Sequence, residues 1–265
     1  MSELQVDIER HLEELEEQGV TVIPDQFKEG TVDRIREDLA EFTSLNRHLF
    51  DKHLDADGHY PRIINLHLAF PELLRLYTEN PIALGVQDAF FNAESSVYTT
   101  LYYERGSAQP IHRDTPYFCT RPELRYLGVW VAMEEANDLN GCLNIIRGGH
   151  LVPEFDREKI ALSHFDSLDD VPPASDVLWN EYQSMVADKC AELGLKVEQL
   201  EVEKGDTVIW HPQLPHGGSP ITDITRTRHS LVVHVAPVGC PVYYQDVFFN
   251  PGKPRNVSTI SQHPA

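Results

Sequence analysis

Four side chains in the second half of the chain could together bind a metal ion and an organic acid. His112 and Asp114 are separated by one residue, and His216 precedes two glycines in LPHGGSP. In an extended segment, residues i and i+2 point to the same face, so the imidazole of His112 and the carboxylate of Asp114 would converge on one point. Mixed nitrogen and oxygen ligands of this kind suit a divalent metal. The fourth residue, Arg228, carries a guanidinium that can bind a carboxylate with two hydrogen bonds.

The spacing His-x-Asp is a weak signal by itself, because it occurs three times in this chain. The three pairs are His53 with Asp55, His112 with Asp114, and His164 with Asp166. The first and third pairs lie in polar segments that have no strand pattern to hold a ligand in place. The middle pair follows the strand-like sequence VYTTLYYE and the turn-like sequence RGSAQP. This context favours His112 and Asp114 as the ligand pair.

A third ligand must come from further along the chain. The candidates are His211, His216, His229 and His234. His216 is favoured because it follows the strand-like KGDTVIW and because the two glycines after it would let the backbone turn closely around an ion. His211 is the second choice. Two histidines and one carboxylate leave coordination positions open, which suits non-haem Fe(II) and oxygen chemistry, and zinc with the same ligands is the alternative.

Arg228 favours iron over zinc in this interpretation, because a 2-oxo acid chelated to iron has a distal carboxylate that needs a cationic partner. In RTRHSLVVHV the residues that share a strand face with Arg228 are Arg226, Ser230, Val232 and His234. The opposite face is apolar and is predicted to pack on helices. Arg226 stays a rival to Arg228 for the anion.

Composition argues against several kinds of partner. The chain has 265 residues, of which 42 are acidic and 22 basic, for a formal net charge of −20. Such a surface repels phosphate backbones and anionic lipids, so neither nucleic acid nor a membrane is an expected partner.

The four cysteines have no CxxC spacing and indicate neither a disulfide framework nor a thiolate zinc site. The acidic N-terminus lacks the apolar stretch of a secretory signal or an anchor, so a cytoplasmic protein is expected.

The hydrophobic pattern predicts one domain over residues 1–265, mainly β with flanking helices. Residues from 1 to about 94 are predicted to be mostly helical, with helices at about 31–44 and about 81–94. These helices are expected to buttress a sheet.

Residues from about 95 to 250 contain short strands rich in β-branched and aromatic residues, which predict a sandwich or barrel. Residues from about 151 to 200 are polar and then helical, and they are predicted to be an insertion that shapes the entrance to a site. The tail after about 250 is expected to fray.

These pieces resemble the phytanoyl-CoA dioxygenase-like family of Fe(II)/2-oxoglutarate-dependent oxygenases, which are built on a double-stranded β-helix, a cupin-like jelly roll. GVTVIPDQF is similar to the family's helix-to-strand opening, PIHRDTPYF to its first metal motif, and WVAMEEANDLNGCLNIIRGGH to its central block. KGDTVIWHPQLPHGGSP followed by RHSLVVH resembles its second histidine and its arginine. The resemblance covers nearly the whole chain.

The resemblance implies a reaction and a set of site residues. The implied iron ligands are His112, Asp114 and His216. Arg228 would bind the far carboxylate of 2-oxoglutarate, and Ser230 and Trp130 would line the same pocket. The implied reaction uses dioxygen and 2-oxoglutarate to hydroxylate a small-molecule substrate, with release of succinate and CO2. The presence of Asp114 argues against a halogenase, in which a small residue replaces the carboxylate.

The substrate is not specified by the resemblance. Arg62 and Tyr117 are hypothesised to face it, and an inward Arg62 would favour an anionic or polar small molecule over an acyl chain. The family usually reads His-Gly-Ser where this chain has one more glycine between His216 and Ser219, so the role of that serine is not assigned.

Two other classes of function fit the same ligands. A cupin-like metal enzyme that does not use 2-oxoglutarate would need the three ligands but not Arg228. A non-catalytic binding protein on the same fold is the second alternative, against which the complete ligand set argues.

Overall fold

The chain folds into two facing antiparallel β-sheets, with helices packed on the outer side of the larger sheet. The computed structural model describes residues 2–60 and 62–253, and it describes only the backbone of residue 53. The α-helices of these residues are α1 (Glu3–Gln18), α2 (Thr31–Leu45), α3 (Arg47–Phe50), α4 (Arg75–Thr78), α5 (Pro81–Phe91), α6 (Arg157–Leu162), α7 (Asp176–Glu192) and α8 (Gln245–Phe249). The strands are β1 (Val20–Ile23), β2 (Ile63–Ile64), β3 (Ser95–Tyr103), β4 (Cys119–Thr120), β5 (Leu127–Ala132), β6 (Leu143–Ile145), β7 (Glu198–Leu200), β8 (Thr207–Trp210), β9 (His216–Gly218), β10 (Ser230–Pro237) and β11 (Val242–Tyr243).

The larger sheet has the strand order β1-β8-β5-β10-β3-β2, and its neighbouring strands are antiparallel. β10 lies inside this sheet, between β5 and β3, and all eight of its residues are buried. As the sequence pattern predicts, Leu231 and Val233 belong to the apolar core under the helices. Val232, between them, belongs to the core between the two sheets. The period of two along this strand therefore sorts its side chains between a packing face and an inner face.

The outer face of the larger sheet is buried by helices α1, α2 and α5. Leu15, Ile35 and Val86 from these helices pack in one cluster with Val129 and Val233 from the sheet, and all five are almost fully buried. Burying an apolar side chain of this size stabilises the fold by about 1.5–3 kcal/mol. The helices thus cover the outer face of the larger sheet, which leaves its inner face towards the smaller sheet.

The smaller sheet has the order β7-β6-β9 and faces the inner side of the larger one. Leu143 and Ile145 of β6 pack with Trp130 of β5 and Val208 of β8. A separate pair of strands, β4 and β11, is also antiparallel. The inner face of the larger sheet is therefore apolar where the two sheets meet.

The segment between β6 and β7 contains α6 and α7. Ser175 starts α7 by accepting a hydrogen bond from the backbone N–H of Leu178 (3.4 Å). Leu178 and Tyr182 of this helix pack in a third core cluster, together with residues of α8. β7 joins the smaller sheet although it lies within the range 151–200 predicted as an insertion.

Two predicted helices are present with small differences in their ends. α2 covers Thr31–Leu45, against the predicted 31–44. α5 ends at Phe91 instead of 94, because Asn92 adopts a left-handed conformation with φ 48° and caps the helix. The predicted fraying concerns mainly residues 254–265, which lie outside the described residues. No helix among the residues described has the length and apolar character needed to cross a membrane.

Candidate metal centre

His112 and His216 lie opposite each other in an antiparallel bridge. Each backbone N–H donates to the carbonyl oxygen of the other residue at 2.8 Å. This pairing brings the two imidazole rings to a centroid distance of 4.7 Å. A link between the loop after β3 and the start of β9 therefore sets the separation of the two histidines.

Both histidines present the same nitrogen to the space between them. Nδ1 of His112 donates to the carbonyl of Pro110 (2.8 Å), and Nδ1 of His216 donates to that of Leu214 (3.0 Å). A carbonyl only accepts, so each Nε2 carries the lone pair that a metal needs. The two Nε2 atoms lie 3.9 and 3.8 Å from Oδ1 of Asp114. These three ligand atoms all lie within 4.8 Å of one another, as a metal site requires.

The two oxygens of Asp114 have different surroundings. Oδ2 accepts a hydrogen bond from Nε1 of Trp210 (2.9 Å) and one from Nε2 of His234 (3.3 Å). Oδ1 faces the two histidines. Burial would raise the pKa of Asp114, but His216 and His234 outweigh that effect and hold it well below its usual range. The carboxylate is thus ionised and is presented to the cluster through one oxygen.

The protonation of His112 also suits metal binding. Burial, followed by the charge of His216, lowers the pKa of His112 to about 4. The ring is therefore neutral near pH 7, and its lone pair is available. Nε2 of Gln109 donates a hydrogen bond to this nitrogen (3.3 Å), which is consistent with an unprotonated Nε2.

The residue between the two ligands points the other way. Arg113 is fully buried, and its guanidinium donates to the carbonyls of Gly149 (2.9 Å) and Val152 (3.1 Å). Its backbone N–H donates to the side chain of Gln183 on α7, and the amide of Gln183 donates back to the carbonyls of Arg113 and Thr115. The predicted alternation of His112 and Asp114 on one face is therefore present, and helix α7 holds the segment in place.

The glycines after His216 lie against the segment that carries His112. A Cβ on Gly217 would lie 2.6 Å from the carbonyl oxygen of Gln109 and 3.0 Å from the backbone nitrogen of Ile111. The glycines thus let β9 approach the segment that carries His112. Ser219, beyond them, is buried and lies 3.5 Å from the thiol of Cys142.

A second polar group lies on the inner face of β5 and β10. Arg228 is buried, its backbone N–H donates to Glu104 (2.9 Å), and one Nη donates to the carbonyl of Gly141. Its guanidinium lies over the ring of Trp130, at 5.4 Å from the centroid. Burial lowers the pKa of Arg228 to about 10, so the side chain stays charged at neutral pH.

Three buried polar atoms in this group have no hydrogen-bond partner among the residues described. They are Nε of Arg228, Nε1 of Trp130 and Oγ of Ser230. Leaving a buried donor unpaired costs about 1–3 kcal/mol, so such atoms normally meet a partner. Two of the three are obligate donors and the third is a hydroxyl, so a carboxylate would satisfy all of them.

A single cavity of about 480 Å³ joins the two groups. His112, Asp114 and His216 line it, as do Trp130 and Arg228. Arg62 and Tyr117, which the sequence suggested as substrate contacts, also line this cavity, and both are exposed at its surface.

The rival candidates lie elsewhere. His211 packs against His150 and Phe90, and its Nδ1 accepts from the backbone of Gln213. Arg226 pairs with Glu135 at 3.5 Å on the surface. His229 bonds to the hydroxyl of Tyr102, on the helical side of the sheet.

Within the described residues, the other two His-x-Asp pairs contribute to no comparable group. His164 pairs with Glu181 on the surface. The side chain of His53 lies outside the described part of the chain, and Asp55 accepts hydrogen bonds from nearby backbone N–H groups.

Sequence reasoning did not assign several residues that shape the site. Trp210 and His234 hold Asp114, Gln183 holds the backbone between the ligands, and Trp179 lies against His112 with a centroid distance of 5.7 Å. His234 carried a partial signal, since it shares the strand face of Arg228. A glycine supplied another, because a Cβ on Gly128 would overlap the indole of Trp210.

Two facing antiparallel sheets with a cluster of two histidines and one carboxylate between them define a double-stranded β-helix of the non-haem metal type. Residues 15–228 match the sequence profile of the phytanoyl-CoA dioxygenase (PhyH) family. The chain therefore belongs to this family.

Individual relatives are distant. The phytanoyl-CoA dioxygenase domain-containing protein 1 homolog of Caenorhabditis briggsae is 23% identical over 212 residues, which cover 79% of this chain and 65% of that protein. The human peroxisomal phytanoyl-CoA dioxygenase is 29% identical over 144 residues, covering 54% of this chain and 37% of that protein. The chain thus spans between about one third and two thirds of the length of these curated relatives.

Solved structures share the fold. The epimerase SnoN from nogalamycin biosynthesis, in complex with Fe3+, alpha ketoglutarate and nogalamycin RO, has a TM-score of 0.66 at 17% identity, and the match covers 98% of this chain and 96% of that chain. EctD from S. alaskensis, with 2-oxoglutarate and 5-hydroxyectoine, has a TM-score of 0.60 at 13% identity, with coverage of 86% and 76%. These likenesses confirm the predicted jelly roll.

Proposed function

We propose that this protein is an Fe(II)- and 2-oxoglutarate-dependent dioxygenase that hydroxylates a small molecule and releases succinate and CO2. The observation that carries the proposal is one cavity lined by two groups that lack ligands: three converging metal-ligand atoms, and the unpaired buried donors of Arg228 and Trp130, which suit an anion. A metal site alone would leave the second group unexplained.

The chemistry of the first group fits Fe(II). His112 and His216 would bind it through Nε2 and Asp114 through Oδ1, which is the two-histidine, one-carboxylate set of non-haem iron oxygenases. Both Nδ1–H groups are already used on backbone carbonyls, so the rings are oriented before any metal binds. When bound, Fe(II) with 2-oxoglutarate supplies the oxygen activation that converts a C–H bond into an alcohol.

The second group fits the far carboxylate of 2-oxoglutarate. Arg228 offers an unpaired Nε in a buried site, where a charge-assisted hydrogen bond is strong. Ser230 is two residues beyond Arg228, and Trp130, whose ring lies under the Arg228 guanidinium, pairs with Val232 on the same strand; we propose that both donate to the same ligand. The role of this chain at that end is to fix the co-substrate and to keep its charge paired away from water.

The remaining wall of the cavity serves the primary substrate. Arg62 and Tyr117, which are far apart in the sequence, both line this wall, and they are proposed to contact the substrate. An arginine at this position favours a polar small molecule over a long acyl chain. The region around α7 contributes Trp179 and Asp176 to the same wall, which supports the proposed role of the insertion in shaping the entrance.

The expected partners are small molecules and dioxygen, in a cytoplasmic setting. The net charge of −20 disfavours nucleic acid and anionic membranes. Cys119, Cys142 and Cys190 are buried thiols outside any disulfide, in line with a reducing compartment.

The test is formation of succinate from 2-oxoglutarate by purified, Fe(II)-loaded protein in air, without added substrate. Slow uncoupled turnover is expected for the native chain and is expected to be lost in His112→Ala. Turnover of the native protein that does not depend on iron, or that persists in this variant, would contradict the proposal. A metal-loaded protein that is inactive with 2-oxoglutarate but oxidises another compound would favour a cupin-like enzyme.

A further inference from the structure

The cavity has a side that the iron and co-substrate groups do not use. It is lined by Tyr117 after the first metal motif, by Asp176 and Trp179 of α7, and by Tyr244 before α8. Asp176 and Trp179 are three residues apart and so lie on the same face of the helix. Trp179 lies against His112, so this wall adjoins the metal centre.

The charges of the cavity divide unevenly between its two sides. Asp114 is assigned to the metal and Arg228 to the co-substrate. Among the other residues that line the cavity, Asp176 supplies a carboxylate and Arg62 a guanidinium. Burial raises the pKa of the Tyr103 hydroxyl, and Arg62 and Arg228 both oppose this effect, so Arg62 lies towards the side of the cavity that holds Arg228. No cation of the described chain lies within ion-pair distance of Asp176. The aromatic wall therefore carries an exposed carboxylate that is not engaged in an ion pair and can receive a cationic ligand.

The aromatic rings strengthen the same preference. Tyr117 stands nearly perpendicular to Trp179 (89°, centroids 6.3 Å apart) and to Tyr244 (83°, 5.9 Å). Both pairs are edge-to-face, so each pair occupies at most one face of one of its two rings. Tyrosine and tryptophan faces attract a cation within about 6 Å of the centroid, more strongly when the site excludes water.

Asp176 is the first residue of α7, where its charge favours the helix dipole, but its carboxylate does not cap the helix. Ser175 caps α7 by accepting from Leu178, and Asp176 receives no hydrogen bond within the described residues that would fix it in a structural role. The net charge of −20 also favours the approach of a cation to this mouth over that of an anion.

We propose that the primary substrate carries a cationic nitrogen, an amine or quaternary ammonium, which binds between Asp176 and the rings of Tyr117, Trp179 and Tyr244. This inference rests on the proposed function, because it names the substrate class of the same site. Since Trp179 adjoins His112, carbons close to this nitrogen are the ones that face the metal centre.

The experiment uses choline as the probe and 3,3-dimethylbutan-1-ol, its uncharged isostere, as the comparison. Binding to the full protein, loaded with Fe(II) and 2-oxoglutarate without oxygen, is measured by calorimetry. Choline is expected to bind at least about tenfold more tightly than the isostere, because the uncharged isostere makes neither a cation–π interaction nor an ion pair. Asp176→Asn is expected to weaken choline binding by a similar factor, with no effect on the isostere.

The matched control is Asp188→Asn, which removes an exposed carboxylate from the same helix but outside the cavity. It is expected to leave choline binding unchanged. Equal affinity for choline and the isostere, no measurable binding of choline, or an equal loss in both variants would overturn the inference. The visible absorption band of the iron–2-oxoglutarate complex is recorded in the same samples. If the band forms but choline binds no more tightly than the isostere, only the substrate class is wrong. If the band does not form, the proposed function is wrong.

Discussion

At the scale of single residues, the arrangement around Asp114 explains why one oxygen faces the histidines. Trp210 and His234 both donate to Oδ2, and the pKa of Asp114 is held low by His216 and His234 against the opposing effect of burial. Hydrogen bonds to ligands of this kind commonly contribute a factor of about 10–100 to metal affinity.

Trp210→Phe keeps the aromatic packing but removes the stronger of these two donors. Affinity for Fe(II) is expected to fall by about tenfold or more, since the carboxylate loses its fixed orientation. The measurement is anaerobic competition with a chromophoric chelator. Tyr77→Phe is the control, because it removes a buried hydrogen bond to Ser95 far from the cavity. Equal iron affinities in the two variants would contradict a positioning role for Trp210.

His211 predicts a pH dependence of stability. Burial, followed by the charges of His150 and Arg113, lowers the pKa of His211 to about 3, below the ordinary value of 6.5. The unfolded chain therefore takes up a proton that the folded chain rejects, and stability falls as pH drops below 6.5 towards 3. The expected loss between pH 7 and pH 5 is about 1–2 kcal/mol from this residue.

The check is urea denaturation of the native chain and of His211→Gln at both pH values. Glutamine keeps an acceptor for the backbone N–H of Gln213 and does not titrate. The variant is expected to show a flatter pH dependence, and His48→Gln, an exposed site, is expected to match the native chain. A slope that is the same in all three proteins would refute the prediction.

Residue identity and spacing were sufficient to predict part of the site. The i, i+2 relation of His112 and Asp114 and the alternation that turns Arg228 and Ser230 inward are local properties of extended chain. The contacts of Trp210 and His234 with Asp114 span 96 and 120 residues, so only the folded sheets bring them together. Spacing along the chain could not have shown them.

At the scale of elements, helix α7 supports the backbone around Asp114, a role that its sequence pattern does not predict. Gln183 bonds the backbone of Arg113 in both directions and also the carbonyl of Thr115, on either side of Asp114. The segment 151–200 was predicted only to shape an entrance. In the structure it also supports the strand-like stretch that carries two of the candidate ligands.

Gln183→Met tests this support by replacing the amide with an apolar side chain of similar size. Three backbone groups lose their partner, so the free energy of unfolding is expected to fall by about 2–4 kcal/mol. Because the backbone around Asp114 is released, Fe(II) affinity is expected to fall as well. Thermal melts with and without metal measure both effects. Ser184→Ala, exposed on the same helix, should change neither, and a stable Gln183→Met protein with native iron affinity would show that α7 does not hold the ligands.

Long elements with a clear hydrophobic period were predicted better than short elements. α2 follows a clear period of 3.6 residues because one of its faces lies in the core. β10 follows a period of 2.0 because its apolar face packs under the helices and its other face carries polar residues and the contacts between the sheets. β9 has only three residues, two of them glycine, and its position is set by contact with residues around Gln109 instead of by its own pattern. Tertiary contact decides such elements.

At the scale of the whole molecule, the net charge of −20 opposes folding through self-repulsion. Raising sodium chloride from low concentration to about 0.5 M shortens the Debye length to a few ångströms and screens this repulsion. The Tm is expected to rise by about 2–4 °C, equivalent to about 1 kcal/mol for a chain of this size. Calorimetry at both salt concentrations provides the measurement. A Tm that falls with salt would show that attractive ion pairs outweigh the repulsion.

The central claim joins three ligands and one arginine in a single reaction centre, and one anaerobic titration tests it most directly. Fe(II)-loaded protein is titrated with 2-oxoglutarate while the weak visible charge-transfer band of the chelate is followed. The band is expected in the native chain, and Arg228→Ala is expected to need roughly 30-fold more 2-oxoglutarate, since a buried charge-assisted hydrogen bond is worth about 2 kcal/mol. No band with iron bound, or the same titration curve in both proteins, would contradict the assignment.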